Sequence, residues 1–209
     1  TRRDASMPKF ILTGLFLLLS LAAEAAGTLL VVGDSLSSGY GLGPEQAWPA
    51  LLERRLRERR LDYSVVNASI SGDTSAGGRS RLGAALDAAR PTLVIIALGG
   101  NDGLRGLPLA TLRDNLDAML AAVHRQRARA VLVGMKLPPN YGADYTRGFE
   151  RIYLDLARAH GATRVPFLLE GIAERRELFQ ADGIHPTAEA QPLILENVWK
   201  SLAPLLKRP

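Results

Sequence analysis

Five short apolar, β-favouring runs, separated by stretches of helical periodicity, constrain this chain more than any other feature. The runs are Thr28–Val32, Ser64–Val66, Leu93–Leu98, Ala130–Met135 and Thr163–Phe167. Continuous apolar runs of this length read as strands covered on both faces. After the first run, Trp48, Leu51, Leu52 and Leu56 recur at helical spacing, with Pro49 suited to a first helical turn. Thr74 or Ser75 can cap a second helix, which Pro91 ends after about Arg90. Further helices are predicted over about 109–126 and 144–160, and Thr187 is placed to cap a last one reaching about Leu205. Strands alternating with helices require crossover connections, and hence a parallel sheet with helices on both faces.

Right-handed crossovers then favour a doubly wound, flavodoxin-like three-layer α/β/α sandwich around a parallel sheet of about five strands. The 209 residues show no repeat, low-complexity tract or interdomain linker, so residues 26–209 read as one domain. The absence of cysteine removes disulfides, thiolate metal ligands, a cysteine nucleophile and a lipoprotein anchor together. The net charge is +5, and the basic residues are dispersed except at Arg54, Arg55, Arg57, Arg59 and Arg60. With no aromatics interleaved, that cluster reads as a solvated helix face, and no nucleic-acid partner is expected.

Residues 1–25 are set apart from the fold. Met7-Pro-Lys9, an apolar run from Phe10 to Ala23, and the small-residue stretch Ala23-Glu-Ala-Ala26 form the three parts of a secretory signal peptide. The run is short for a membrane span, and a retained membrane anchor is the alternative. Cleavage is expected near Ala25, with residues 1–6 an upstream remnant, giving a periplasmic or secreted protein.

Four polar, glycine-bearing loops follow the first three strands or lie late in the chain: 33–37, 71–75, 99–103 and 182–186. In a parallel sheet the loops after successive strands share one edge, where ligands bind. Gly33-Asp34-Ser35 places a serine where the first strand releases the chain. Serine is a weak nucleophile without a base. Of three histidines, His124 and His160 fall on predicted helices and read as surface residues, whereas His185 lies in a Gly/Pro-punctuated loop. Asp182, three residues earlier, can reach the imidazole within one turn. Ser35, His185 and Asp182 therefore suit the nucleophile, base and orienting carboxylate of a Ser-His-Asp triad. The backbone N–H groups of Ser35 and Gly72 and the side-chain amide of Asn101 are the candidate oxyanion donors. Asp102 reads as a local turn or cap residue. A G-x-S-x-G elbow and a phosphate-binding G-x-x-x-x-G-K-[ST] loop are both missing.

Gly33-Asp-Ser-Leu-Ser37, Gly72 within Ser71-Gly-Asp-Thr74, Gly100-Asn101-Asp102 and Asp182-Gly-Ile-His185-Pro186 resemble, in order, the four blocks of the SGNH (GDSL-type) hydrolases. Ala47–Leu52, Asn67–Thr74, Leu98–Gly106 and Leu137–Gly142 are similar to the bacterial periplasmic thioesterase I/lysophospholipase/arylesterase group of that family. The resemblance spans about Gly27 to Leu205. It implies the SGNH hydrolase fold, no cofactor or metal, and hydrolysis of acyl esters and thioesters, lysophospholipids included. It also implies that the loop Gly103–Pro108 lies against the acyl chain, with Leu104, Leu107 and Pro138 as expected contacts. A monomer with at most transient membrane-surface contact is expected. A carbohydrate O-acetylesterase of the same superfamily, or a non-catalytic glycan- or lipid-binding module, are the alternatives. The complete set Ser35, Gly72, Asn101, Asp182 and His185 argues against the module.

Overall fold

In the computed structural model the described residues are 27–206, so the signal-peptide expectation for residues 1–25 lies outside them. The five predicted strands form, as β1 (Gly27–Gly33), β2 (Tyr63–Asn67), β3 (Leu93–Ala97), β4 (Arg129–Val133) and β5 (Thr163–Val165). They make one parallel sheet in the order β2-β1-β3-β4-β5. One row runs straight across it: Asn67, Val31, Ile95, Val131 and Thr163 are successive partners. Every residue of β3 is buried, as sheet centre and helical cover on both faces require. β2 is an edge strand and leaves Val66 exposed.

The helices are α1 (Ser35–Ser38), α2 (Trp48–Glu58), α3 (Ser75–Ala89), α4 (Gly100–Leu104), α5 (Leu109–Arg125), α6 (Ala143–Ala159) and α7 (Gln191–Leu202). α3 packs on α5 and α5 on α6, while α2 packs on α7. The two groups cover opposite faces, because β1 to β2 steps one way along the sheet and every later crossover steps the other. The reversal lies between β1 and β3, and there a doubly wound sheet opens a crevice beyond its carboxyl edge.

Three sequence expectations need correction. The stretch 99–103, read as a loop, contains the short helix α4. Its glycines give it little helix propensity, and long-range bonds described below hold it. Gly99, which precedes it, has φ 110°, and a Cβ there would lie 2.0 Å from the Tyr153 hydroxyl oxygen. The Thr187 side chain makes no cap bond. A 3₁₀ turn at Ala188–Ala190 intervenes before α7, which ends at Leu202 and passes into a second such turn. The arginine cluster is solvent-exposed as expected at Arg54, Arg57, Arg59 and Arg60, but Arg55 is half-buried. Arg55 and Arg59 lie 5.2 and 5.0 Å from the Trp199 ring, and Arg55 pairs with Glu196 at 2.5 Å. These side chains therefore join α2 to α7 through cation–π contacts and packed stems.

Candidate active site

β1 ends at Gly33, where a Cβ would lie 2.7 Å from the Ser37 hydroxyl. This close approach lets the chain turn directly into α1, whose first residue is Ser35. Asp34 caps the turn by accepting the Leu36 N–H at 3.1 Å. Asp34 is buried, and burial pushes its carboxyl up to about 6, against the Leu36 N–H bond that favours its charge.

Asp182 and His185 sit on a small hairpin. Its backbone bonds run from Thr187 N to Leu178 O and from Gln180 N to His185 O, each 2.8 Å. Asp182 Oδ1 accepts the N–H groups of Ile184 and His185 at 2.9 and 3.0 Å, while Oδ2 lies 2.7 Å from His185 Nδ1. The ring bond and the two backbone N–H groups hold the Asp182 carboxyl down to about 2. An ionised carboxylate only accepts, so Nδ1 carries the imidazole proton and Nε2 is left as the acceptor. Nε2 lies 2.9 Å from Ser35 Oγ, across 150 residues of sequence. Tyr40 covers the imidazole, with ring centroids 4.3 Å apart.

Asn101 occupies the first turn of α4. Its Nδ2 donates to the Asp73 carbonyl at 2.9 Å and, at 3.4 Å, to Asp34 Oδ2. Among the described residues, the N–H groups of Ser35 and Gly72 have no acceptor. Gly72 has φ 80°, a backbone conformation that favours glycine. The carboxyl edge of the sheet thus joins a serine hydroxyl to an imidazole and carries two backbone N–H groups without acceptors. Such a set is suited to acyl transfer.

Several supporting residues escaped the sequence reading. Asp102 is not a local cap. It is buried and accepts the Ser75 N–H at 2.8 Å and the Ser75 hydroxyl at 2.5 Å, and Asn115 Nδ2 donates to that hydroxyl at 3.0 Å. Arg105 donates to the Gly72 carbonyl at 3.0 Å. Arg81 pairs with Asp73 at 2.7 Å and donates to the carbonyls of Gly33, at 3.2 Å, and Ala68. None of these partners lies within a helical turn or two of its mate, and most are 27 or more residues away, so local spacing carried no signal.

Of the expected acyl-chain contacts, Leu104 and Pro138 are exposed and Leu107 is half-buried. The hydroxyls of Tyr141 and Tyr145 donate to the carbonyls of Leu104 and Leu107 at 3.0 and 2.7 Å, which fastens the loop's backbone. His124 is exposed. His160 is less so: it lies 2.8 Å from Asp117 and stacks on His124. Among the described residues, no group of three or more acidic or histidine side chains is placed to hold a metal ion.

Residues 31–192 match the GDSL-like Lipase/Acylhydrolase family. The chain is 51% identical over 201 residues to the esterase TesA of Pseudomonas aeruginosa, covering 96% of this chain and all of that protein. It is 44% identical over 189 residues to the thioesterase 1/protease 1/lysophospholipase L1 of Escherichia coli, covering 90% and 89%. The crystal structure of the psychrotrophic esterase EstA from Pseudoalteromonas sp., inhibited by monoethylphosphonate, superposes with a TM-score of 0.82 at 37% identity, covering 86% of this chain and 98% of that one. The fold and the carboxyl-edge loops are those of an SGNH-type hydrolase. The chain belongs to the GDSL-like lipase/acylhydrolase family.

Proposed function

We propose that this protein hydrolyses acyl esters and thioesters, lysophospholipids included, with Ser35 as nucleophile, His185 as general base and acid, and Asp182 as the group that orients His185. The observation that carries the reading is the continuous path from Ser35 Oγ to His185 Nε2 at 2.9 Å and from Nδ1 to Asp182 at 2.7 Å. The family membership supports a small-molecule ester substrate, and the relatives' names extend it to aryl esters, thioesters and lysophospholipids.

Ser35 Oγ attacks the acyl carbonyl as its proton passes to His185 Nε2. The imidazolium that forms faces the Asp182 carboxylate, whose low pKa keeps it charged throughout the ordinary working range. The developing oxyanion takes hydrogen bonds from the N–H groups of Ser35 and Gly72. Asn101 Nδ2 supplies a third by releasing its 3.4 Å contact with Asp34, the longer of its two. Collapse of the intermediate expels an alkoxide or thiolate, which takes the proton back from Nε2. Water, activated by the same nitrogen, then hydrolyses the acyl-enzyme. None of these steps draws on a metal or organic cofactor. Leu104, Leu107 and Pro138 line the acyl path in this reading. Residues 26–209 act as one monomeric domain that reaches the periplasm or medium through the leader at 1–25, touching membrane surfaces at most transiently.

A fluorophosphonate should label one residue, Ser35, and activity should fall in step with labelling. Peptide mapping that places the adduct elsewhere, or full activity in Ser35→Ala, would overturn the triad.

A further inference from the structure

The two halves of the proposed triad come from opposite ends of the chain. Ser35 belongs to the segment leaving β1, whereas Asp182 and His185 belong to a hairpin after β5. The Gln180 side chain joins them directly. Its Nε2 donates to the Tyr40 carbonyl, on the segment that carries Ser35, at 2.8 Å. The same nitrogen donates to the Pro186 carbonyl, next to His185, at 3.1 Å. The Gln180 N–H donates to the His185 carbonyl at 2.8 Å, and the Gln180 carbonyl accepts the Gly183 N–H at 2.9 Å. A Cβ on Gly41 would lie 2.3 Å from Gln180 Oε1, so the amide sits directly on the backbone beyond Ser35.

Both protons of one primary amide are thus spent on two carbonyls, one from each half of the triad. Neither bond reaches a reacting atom. We propose that Gln180 is a positioning residue that sets the separation of His185 Nε2 from Ser35 Oγ, a role that rests on the triad reading above. Removing the amide frees the hairpin to shift as a unit against the serine. It leaves the Asp182–His185 contact untouched, because that contact lies wholly within the hairpin. A displacement of about 1 Å can cost on the order of a hundredfold in rate.

The test is Gln180→Met, which keeps the side chain's length and its packing over Gly41 while deleting both donors, alongside Ser35→Ala. With a p-nitrophenyl ester, kcat of Gln180→Met should fall about 10- to 100-fold while KM moves by less than about threefold. The rate of fluorophosphonate labelling should fall with kcat, although the final labelled fraction stays complete. The downfield proton resonance of His185 Nδ1–H, recorded at low temperature, should persist. A Gln180→Met enzyme with kcat within about twofold of the parent, while Ser35→Ala is inactive, overturns the assignment. So does a loss of kcat accompanied by loss of the Nδ1–H resonance or by incomplete labelling, since either shows a hairpin that has lost its own structure. Parent-level activity in Ser35→Ala instead overturns the triad on which the assignment rests.

Discussion

Asp34 gives the sharpest test of the energetics beneath the proposed nucleophile. Its carboxyl is buried and stands at about 6 in the folded protein, against 3.8 as its ordinary value. Between those two pH values the folded chain holds a proton that the unfolded chain has released. The resulting contribution to stability is fully present below about pH 3.8 and is lost as pH rises through about 6. At roughly 1.4 kcal/mol for each pH unit, the gap corresponds to about 3 kcal/mol. Asp34→Asn removes the titration while its amide oxygen can still accept the Leu36 N–H. Urea unfolding at half-unit steps from pH 3.5 to 8 should show the parent losing about 3 kcal/mol relative to the variant across the window. Asp182 titrates in the opposite sense: its low pKa contributes stability above about pH 3.8 that is lost as pH falls toward 2. Both proteins share that effect, so it cancels in the difference. Parallel stability curves for the two proteins would refute the argument and show that Asp34 is charged in the fold at neutral pH without penalty.

Asn101→Ala should lower kcat on the order of a hundredfold with a much smaller change in KM, because the interaction grows as the oxyanion forms; a change mainly in KM would make Asn101 a substrate-positioning group. Asp102→Ala strands the buried Ser75 N–H and should cost about 1–3 kcal/mol in urea unfolding, with a fall in kcat as the Gly72 loop loosens. A destabilised protein with parent kcat would separate that bond from the site. Activity on p-nitrophenyl esters should climb with acyl length by up to about fourfold for each buried methylene, at about 0.8 kcal/mol each, and Leu104→Ser with Leu107→Ser should flatten the climb while sparing acetyl ester turnover. An acetyl optimum that both changes leave untouched would favour the carbohydrate O-acetylesterase alternative.

The strands and long helices were legible because their signals are local. β3 is a run of five apolar residues between Pro91 and a glycine pair, and nothing but a buried strand suits it. The triad candidates were legible for a related reason, since Ser35, at the first position of α1 directly after β1, and His185, in a loop, stand in short glycine-bearing stretches whose residue types are themselves the signal. α4 was not legible, because Gly100-Asn-Asp-Gly103 has the composition of a turn. Its helical form depends on Asp102 meeting Ser75, 27 residues earlier in the chain. The contacts of Arg55 and Arg59 were not legible for the same kind of reason: the aromatic face they approach belongs to Trp199, at the other end of the sequence. Gln180 sits five residues before His185, but the carbonyl that explains it lies 140 residues away. What periodicity cannot carry is a bond between loops, and the second layer of this site consists largely of such bonds.

The sheet order explains why the proposed oxyanion donors can converge at all. β1 lies between β2 and β3, so the loops leaving those strands bring Gly72, Ser35 and Asn101 to the sheet edge in that lateral order. The central position belongs to Ser35, the proposed nucleophile, with one proposed donor on either side. β2 and β3 are two strand spacings apart, about 9–10 Å, too far for their loops to share one oxygen unaided. Three side chains on and just after α4 span that distance. Asn101 reaches the Asp73 carbonyl, Asp102 the Ser75 N–H and hydroxyl, and Arg105 the Gly72 carbonyl. The short helix that its composition disfavours is therefore the element that ties the Gly72 loop to the loop leaving β3. Its polar residues are held by this bridging, which is why a sequence so poor in helix formers is helical here.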